Sequence, residues 1–262
     1  ARLLCEYALQ SDCTGVMMCD WINYLGNHAE QQYAFYAAAA CWGWSGANAH
    51  CVPGTDGFFD ALGVNLYNTD GAKLKAFWNY EGNFNSELLS FYPEKERGLA
   101  LRKYVFQTDN PLEFYERMKY RFDGETIEKY GTAIKKLKKY AADLGETFHR
   151  GKYASFVLLS VLLHETLYKS FVAIAKAEKE YSSAAEKQHT DFNAFYAGLD
   201  SCVQKLEALD AIYAEAAEYV QSEYALLGND GPARIRMEAL RKNTEKLVSF
   251  VQSLKDGHRP LP

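Results

Sequence analysis

Ile127, Tyr130, Ile134, Leu137, Ala141, Leu144 and Phe148 recur in alternating steps of three and four residues. That spacing keeps an apolar seam on one side of a helix for more than five turns, and such a seam is stable only against other helices. The rhythm returns at Leu199, Cys202, Leu206, Leu209, Tyr213, Ala216 and Val220, and again at Leu240, Leu247, Val251 and Leu254. No run alternates with the period of two that marks a half-buried strand. The seams therefore predict an all-α fold: an elongated antiparallel helical bundle of three to four long helices.

Boundary signals sharpen the helices. In "DNPLEFYERM", Asn110 suits an N-cap, Pro111 the first helical position and Glu113 a capping box, so a helix starts there. The seam helix over 127–148 runs to Gly151, with His149 and Arg150 in its last turn, where cations complement the dipole. Residues 152–227 hold one glycine, Gly198, and no proline. Their first half carries Phe156, Leu163, Leu167, Ile174, Ala177 and Tyr181 on one face, out of phase with the second half. Two arrangements satisfy this: one very long helix with a stutter, or a hairpin turning between Ser182 and Gly198. "GNDGP" at 228–232 stops that helix and starts the last one.

The region before residue 100 differs. It contains all four tryptophans, five of the six cysteines and ten of the eighteen glycines. "LLCEYALQSDCTGVMMCDWINYLG" and "HAEQQYAFYAAAACW" read as helices, and "VPGTDGFFDALGVNLYNTDG" as a turn-rich connection. The expected organisation is a Cys/Trp/Gly-rich helical head over 1–83 and the bundle over 84–262. Cys5, Cys13, Cys19, Cys41, Cys51 and Cys202 are even in number and clustered, which reads as a disulfide-stapled N-terminal region in an oxidising compartment. Full pairing would tie one of the first five to Cys202. The location that follows is extracellular or cell-surface, with the mitochondrial intermembrane space or another oxidising compartment as the alternative. The chain starts at Ala1 without a charged and apolar leader, and its longest apolar runs are about a dozen residues, short of the roughly 20 that span a bilayer.

The net charge of −5 argues against a nucleic-acid surface, which needs a basic excess. Catalytic signatures are missing: there is no Gly-x-Ser-x-Gly, no phosphate-binding glycine loop and no EF-hand spacing. His164-Glu165 lacks the second histidine of a zinc-protease helix, because position 168 is Tyr168, and the apolar neighbours of His164 suit a hydrogen-bonded core or boundary residue. Two Glu-x-x-His pairs, Glu146 with His149 and Glu186 with His189, share the spacing that di-metal bundles use. No glutamate joins them in the seams, so they remain weak metal candidates, and no cofactor is expected. "KKLKKY" spreads Lys135, Lys136, Lys138 and Lys139 over about 160° of helix opposite Leu137. That face is either simply solvated or a contact for anionic lipid or an acidic partner.

The Cys41–Cys51 segment, "CWGWSGANAHC", fits neither the short paired spacings of zinc sites nor a Cys-x-x-Cys redox pair. Its tryptophans, Trp42 and Trp44, either fill the head's core or, with Trp21 and Tyr36, form an exposed recognition patch. The functional expectation is a non-enzymatic protein that binds a protein or other macromolecular ligand, in the manner of a secreted or surface receptor, through its stapled head. Two alternatives stand beside it: a structural subunit of a larger complex in an oxidising organelle space, and a di-metal helical-bundle enzyme.

Overall fold

The computed structural model describes residues 2–11, 13, 17, 33–45, 55–90, 124–149, 154–225 and 231–257, and most of these are helical, with no strand among them. The helices are α1 (Arg2–Gln10), α2 (Tyr33–Ser45), α3 (Asp56–Leu62), α4 (Gly71–Ser90), α5 (Gly124–Asp143), α6 (Gly145–His149), α7 (Ala154–Ala185), α8 (Phe192–Ala225) and α9 (Gly231–Lys255). Two compact units form: Ala1–Glu87 with Lys135–Val161, and Leu88–Ile134 with Leu162–Pro262. The Asn110 helix start lies outside the described residues.

In the first unit the segment expected to be a connection is itself ordered. Asp56–Leu62 is helical and continues into a π-helical turn, Gly63–Tyr67, because Phe58, Phe59, Leu62 and Tyr67 all need burial on one side. The wider π turn brings Tyr67 inward. Asn68 then ends the helix in the left-handed conformation (φ 51°), which asparagine tolerates. The loop that follows is tied to the end of the seam helix: Thr69 Oγ1 donates to the Leu144 carbonyl at 2.7 Å and Asn68 Nδ2 to that of Thr147 at 3.4 Å. Asp70 accepts the Lys73 amide proton at 3.0 Å and so caps α4. Tyr67 stacks on Phe148 (6.3 Å), Trp78 meets Tyr67 edge-on (6.4 Å), and Tyr80 lies 4.9 Å from Tyr140.

The seam helix expected over 127–148 is broken. Leu144 is a turn residue and Gly145 has φ +87°, a conformation open to glycine, so α6 starts afresh there. The break leaves the seam's purpose intact, since Leu137, Ala141, Leu144 and Phe148 are all buried.

In the second unit the hairpin alternative for 152–227 is the one formed. α7 ends at Ala185, residues 186–190 turn, and Asp191 caps α8 by accepting the Ala194 amide proton at 3.0 Å. Ala177, Ala184, Phe195, Leu199, Cys202, Val203, Leu206, Val251 and Leu254 make the core, with Tyr181, Leu247 and Val248 packed against it. α8 and α9 run antiparallel: Asp200 pairs with Lys255 and, ten residues on, Asp210 holds Arg241 through two bonds of 3.0 and 3.1 Å. At 1.5 Å per residue, α7 and α8 are each about 50 Å long.

The stapled-head expectation needs correcting. Cys5, Cys13, Cys41 and Cys202 are free thiols, so Cys202 does not anchor the N-terminal region; Cys19 and Cys51 lie outside the described residues. Counting cysteines tests parity, whereas a disulfide needs two Cα atoms within about 7 Å. Cys202 is a packing residue of the α7–α8–α9 core, and burial, with Glu180 adding to it, pushes its thiol up from 9.0 to about 11. At pH ~8 only about one Cys202 in a thousand is then thiolate, and the thiolate is the reactive form. A thiol reagent added to the native protein is expected to label exposed Cys13 first and Cys202 only after unfolding. Tyr213, fully buried and bonded to Ser170, is also held well above its ordinary 10.0 by burial. Both groups stay protonated in the fold at pH values where the unfolded chain ionises. The Cys202 contribution is therefore fully present below pH ~9 and is lost as pH rises through ~11, while that of Tyr213 begins to be lost only above its ordinary 10.0, which urea midpoints across that range will show.

Candidate functional site

The geometry of α2 separates the two tryptophans that the sequence left together. Residues two apart on a helix point about 200° away from each other, so Trp42 and Trp44 cannot share a face. Ala38 is buried, with Cys41 and Trp42 half-buried on the same side. Trp44 points the opposite way, beside Ala40, and is 94% exposed. Tyr36 is half-buried, and Trp21 lies outside the described residues. The alanine run Ala37–Ala40 gives Trp44 no tall neighbours, leaving its indole clear of the helix surface.

α1 packs on α2 and adds side chains the sequence reading passed over. Cys5 is buried, while Leu3 and Tyr7, one turn apart on the other side, are 64% and 63% exposed, and Met17 is exposed as well. The signal was present, because Leu3 and Tyr7 at i, i+4 give a short helix an apolar face opposite its buried one. Large apolar side chains exposed together in a small region mark contact surfaces more often than chance placement does.

The two metal-candidate pairs fall in different units. Glu146 is exposed on α6 in the first unit, and nothing of the His149 side chain lies within the described residues. Glu186 and His189 sit exposed in the turn between α7 and α8 of the second unit, not on a helix, so the shared face that i, i+3 spacing presupposes is missing there. Among the described residues, no three His, Cys, Asp or Glu side chains cluster as metal ligands. His164 is a core residue: it is buried in α7, and its carbonyl accepts the Tyr130 hydroxyl at 3.3 Å. A shallow cleft between α8 and α9 is lined by Glu207, Asp210, Thr244, Glu245, Val248 and Ser249, with Asp210 already engaged by Arg241.

Lys135, Lys136, Lys138 and Lys139 are all exposed on α5, and their azimuths are fixed by buried Ile134, Leu137 and Ala141 on the other side. No described helix is long and apolar enough to cross a membrane. No family model, curated protein or solved structure matches this chain.

Proposed function

We propose that the chain is a non-catalytic binding protein whose N-terminal region presents Trp44 to a macromolecular partner. The exposure of Trp44 carries the reading. An indole of about 200 Å² left in water forgoes about 5 kcal/mol of burial free energy at 25 cal/mol/Å², and α2 has a buried side on which Trp42 already sits. Tryptophan is also the side chain most enriched among residues that dominate interface energetics. Leu3, Tyr7 and Met17 are further exposed apolar side chains of the first unit. The long helical seams supply the scaffold, which we read as an elongated antiparallel bundle. The argument for an oxidising compartment loses its main support with four described cysteines free, and the binding reading does not depend on it.

Replacing Trp44 with alanine is expected to weaken partner capture by about 30-fold or more, equivalent to ~2 kcal/mol, while the melting temperature stays within error of wild type. A Trp44→Ala protein that captures the same partner equally well removes the proposal. One observation favours the structural-subunit reading: Phe192 and Tyr196, one turn apart on α8, and Phe250 on α9 are exposed. A purified chain that remains monomeric at high concentration would count against it.

A further inference from the structure

We propose that the Asp256–Gly257 step at the end of α9 is a site of covalent modification, where the chain passes through a succinimide to isoaspartate and becomes a substrate for an S-adenosylmethionine-dependent carboxyl methyltransferase. The chemistry favours an aspartate followed by a residue without a Cβ, since the backbone nitrogen of that residue must reach the aspartyl Cγ. The sequence has five Asp-Gly steps, beginning at Asp56, Asp70, Asp123, Asp230 and Asp256, and no Asn-Gly. In the reaction the Gly257 nitrogen bonds to Cγ of Asp256 and gives up its proton, one carboxyl oxygen leaves as water, and the ring closes. Water then adds to either ring carbonyl. Opening at Cγ restores aspartate, whereas opening at the other carbonyl leaves the chain running through Cγ, with the former main-chain carbonyl carbon as a free carboxylate. One water is lost and one regained, so no oxidant, reductant or cofactor is needed for isoaspartate to form.

The fold separates the described steps. Asp56 and Gly57 lie in the first turn of α3, directly before buried Phe58 and Phe59, and Asp56 pairs with Lys75 at 2.8 Å. Turning the Asp56 backbone toward its own side chain would pull those rings from the core. Asp70 holds the Lys73 amide through Oδ1 at 3.0 Å, and its carbonyl accepts the Leu74 amide at 3.0 Å. Gly71 is buried so close to Asp60 that a Cβ there would collide with it. That carboxylate and that nitrogen are both held. Asp123 and Asp230 lie outside the described residues. Asp256 differs in each respect: it is exposed, and no ion pair or side-chain hydrogen bond engages its carboxylate among the described residues. Gly257 is exposed as well, with φ +75° and nothing within 4 Å of a Cβ position, and its amide reaches the Leu254 carbonyl only at 3.4 Å. Both residues follow Lys255, the last of α9, and helix ends fray. The helix itself is anchored just before them, by buried Leu254 and the Lys255–Asp200 pair. The extra main-chain carbon of isoaspartate therefore enters beyond the core, and the fold survives it.

The test is to hold the full chain in neutral buffer at physiological temperature and then treat it with an isoaspartyl methyltransferase and methyl-labelled S-adenosylmethionine. Mass spectrometry of the digested protein locates the label. Label is expected to accumulate at Asp256–Gly257 about tenfold or more faster than at Asp56–Gly57 or Asp70–Gly71, because local opening differs by site. In urea the three steps should label at similar rates, since the preference comes from the fold and not from the dipeptide. Asp256→Glu, which keeps the charge but lengthens the ring that must close, should abolish the label in that peptide and leave the melting temperature unchanged. Equal labelling of the three steps in the native chain, a native preference for Asp56 or Asp70, or a preference for Asp256 that persists undiminished in urea would each overturn the proposal.

Discussion

Phe148→Ala is expected to destabilise the first unit by about 3–5 kcal/mol, the range for deleting a fully buried aromatic ring. Phe148 has no exposed surface, and it stacks under Tyr67, itself almost completely buried. The ring cannot be replaced by local collapse. On one side the π-helical turn fixes Tyr67; on the other, α6 is held by the hydrogen bonds from Asn68 and Thr69 to the carbonyls of Thr147 and Leu144. Since small domains have stabilities of about 5–15 kcal/mol, a loss of this size moves the urea midpoint far to the left. An aromatic-specific probe, the near-UV circular dichroism of the Tyr67–Trp78 group, should report the loss. A midpoint within error of wild type would mean that Phe148 is not in the core.

Gly198→Leu is expected to cost the second unit about 3 kcal/mol or more, although glycine is the poorer helix former. In an open helix the exchange would gain about 1 kcal/mol from propensity. Here a Cβ at position 198 would fall 2.7 Å from the Ala184 Cβ and 3.3 Å from its Cα, so α7 and α8 must move apart near the hairpin turn. Ala184 offers no flexible end to swing away. Overpacking costs about 1–3 kcal/mol even for modest excess volume, and leucine adds three carbons beyond the first. Thermal unfolding of Gly198→Ala and Gly198→Leu should show a graded loss, and a stabilised alanine variant would contradict the close crossing.

The seams were the legible part of the chain because burial along a helix must repeat with the helix period. Tyr130, Ile134, Leu137, Ala141, Leu144 and Phe148 are buried as their spacing demands, and so are Leu199, Cys202, Leu206, Leu209, Tyr213 and Ala216. Events that interrupt a helix without disturbing the seam were not legible. The break at Gly145 preserves the apolar register, so only the backbone reveals it, and the polar stretch after Ala185 fitted both a stutter and a turn. Gly198 stood in the sequence only as the one glycine of residues 152–227; its meaning lies in Ala184, fourteen residues earlier and across the hairpin. The cysteines misled for a related reason, because an even count and clustering say nothing about which Cα atoms approach. Within the candidate site, Trp42 and Trp44 could have been separated by helical spacing alone once α2 was known to extend to Ser45. Which of the two faces outward depended on which side of α2 is buried.

The proposed role of Trp44 is tested most directly by photocrosslinking from defined positions. A photoreactive phenylalanine analogue placed at position 44 is expected to give a discrete adduct in the native cellular extract. Excess unlabelled wild-type chain should compete that adduct away, and excess Trp44→Ala chain should not. The same analogue at position 205 on α8 or position 136 on α5 should give no adduct with that partner. An adduct formed only from α5 or α8, or one that the alanine variant competes as well as wild type, would contradict a binding surface built on Trp44.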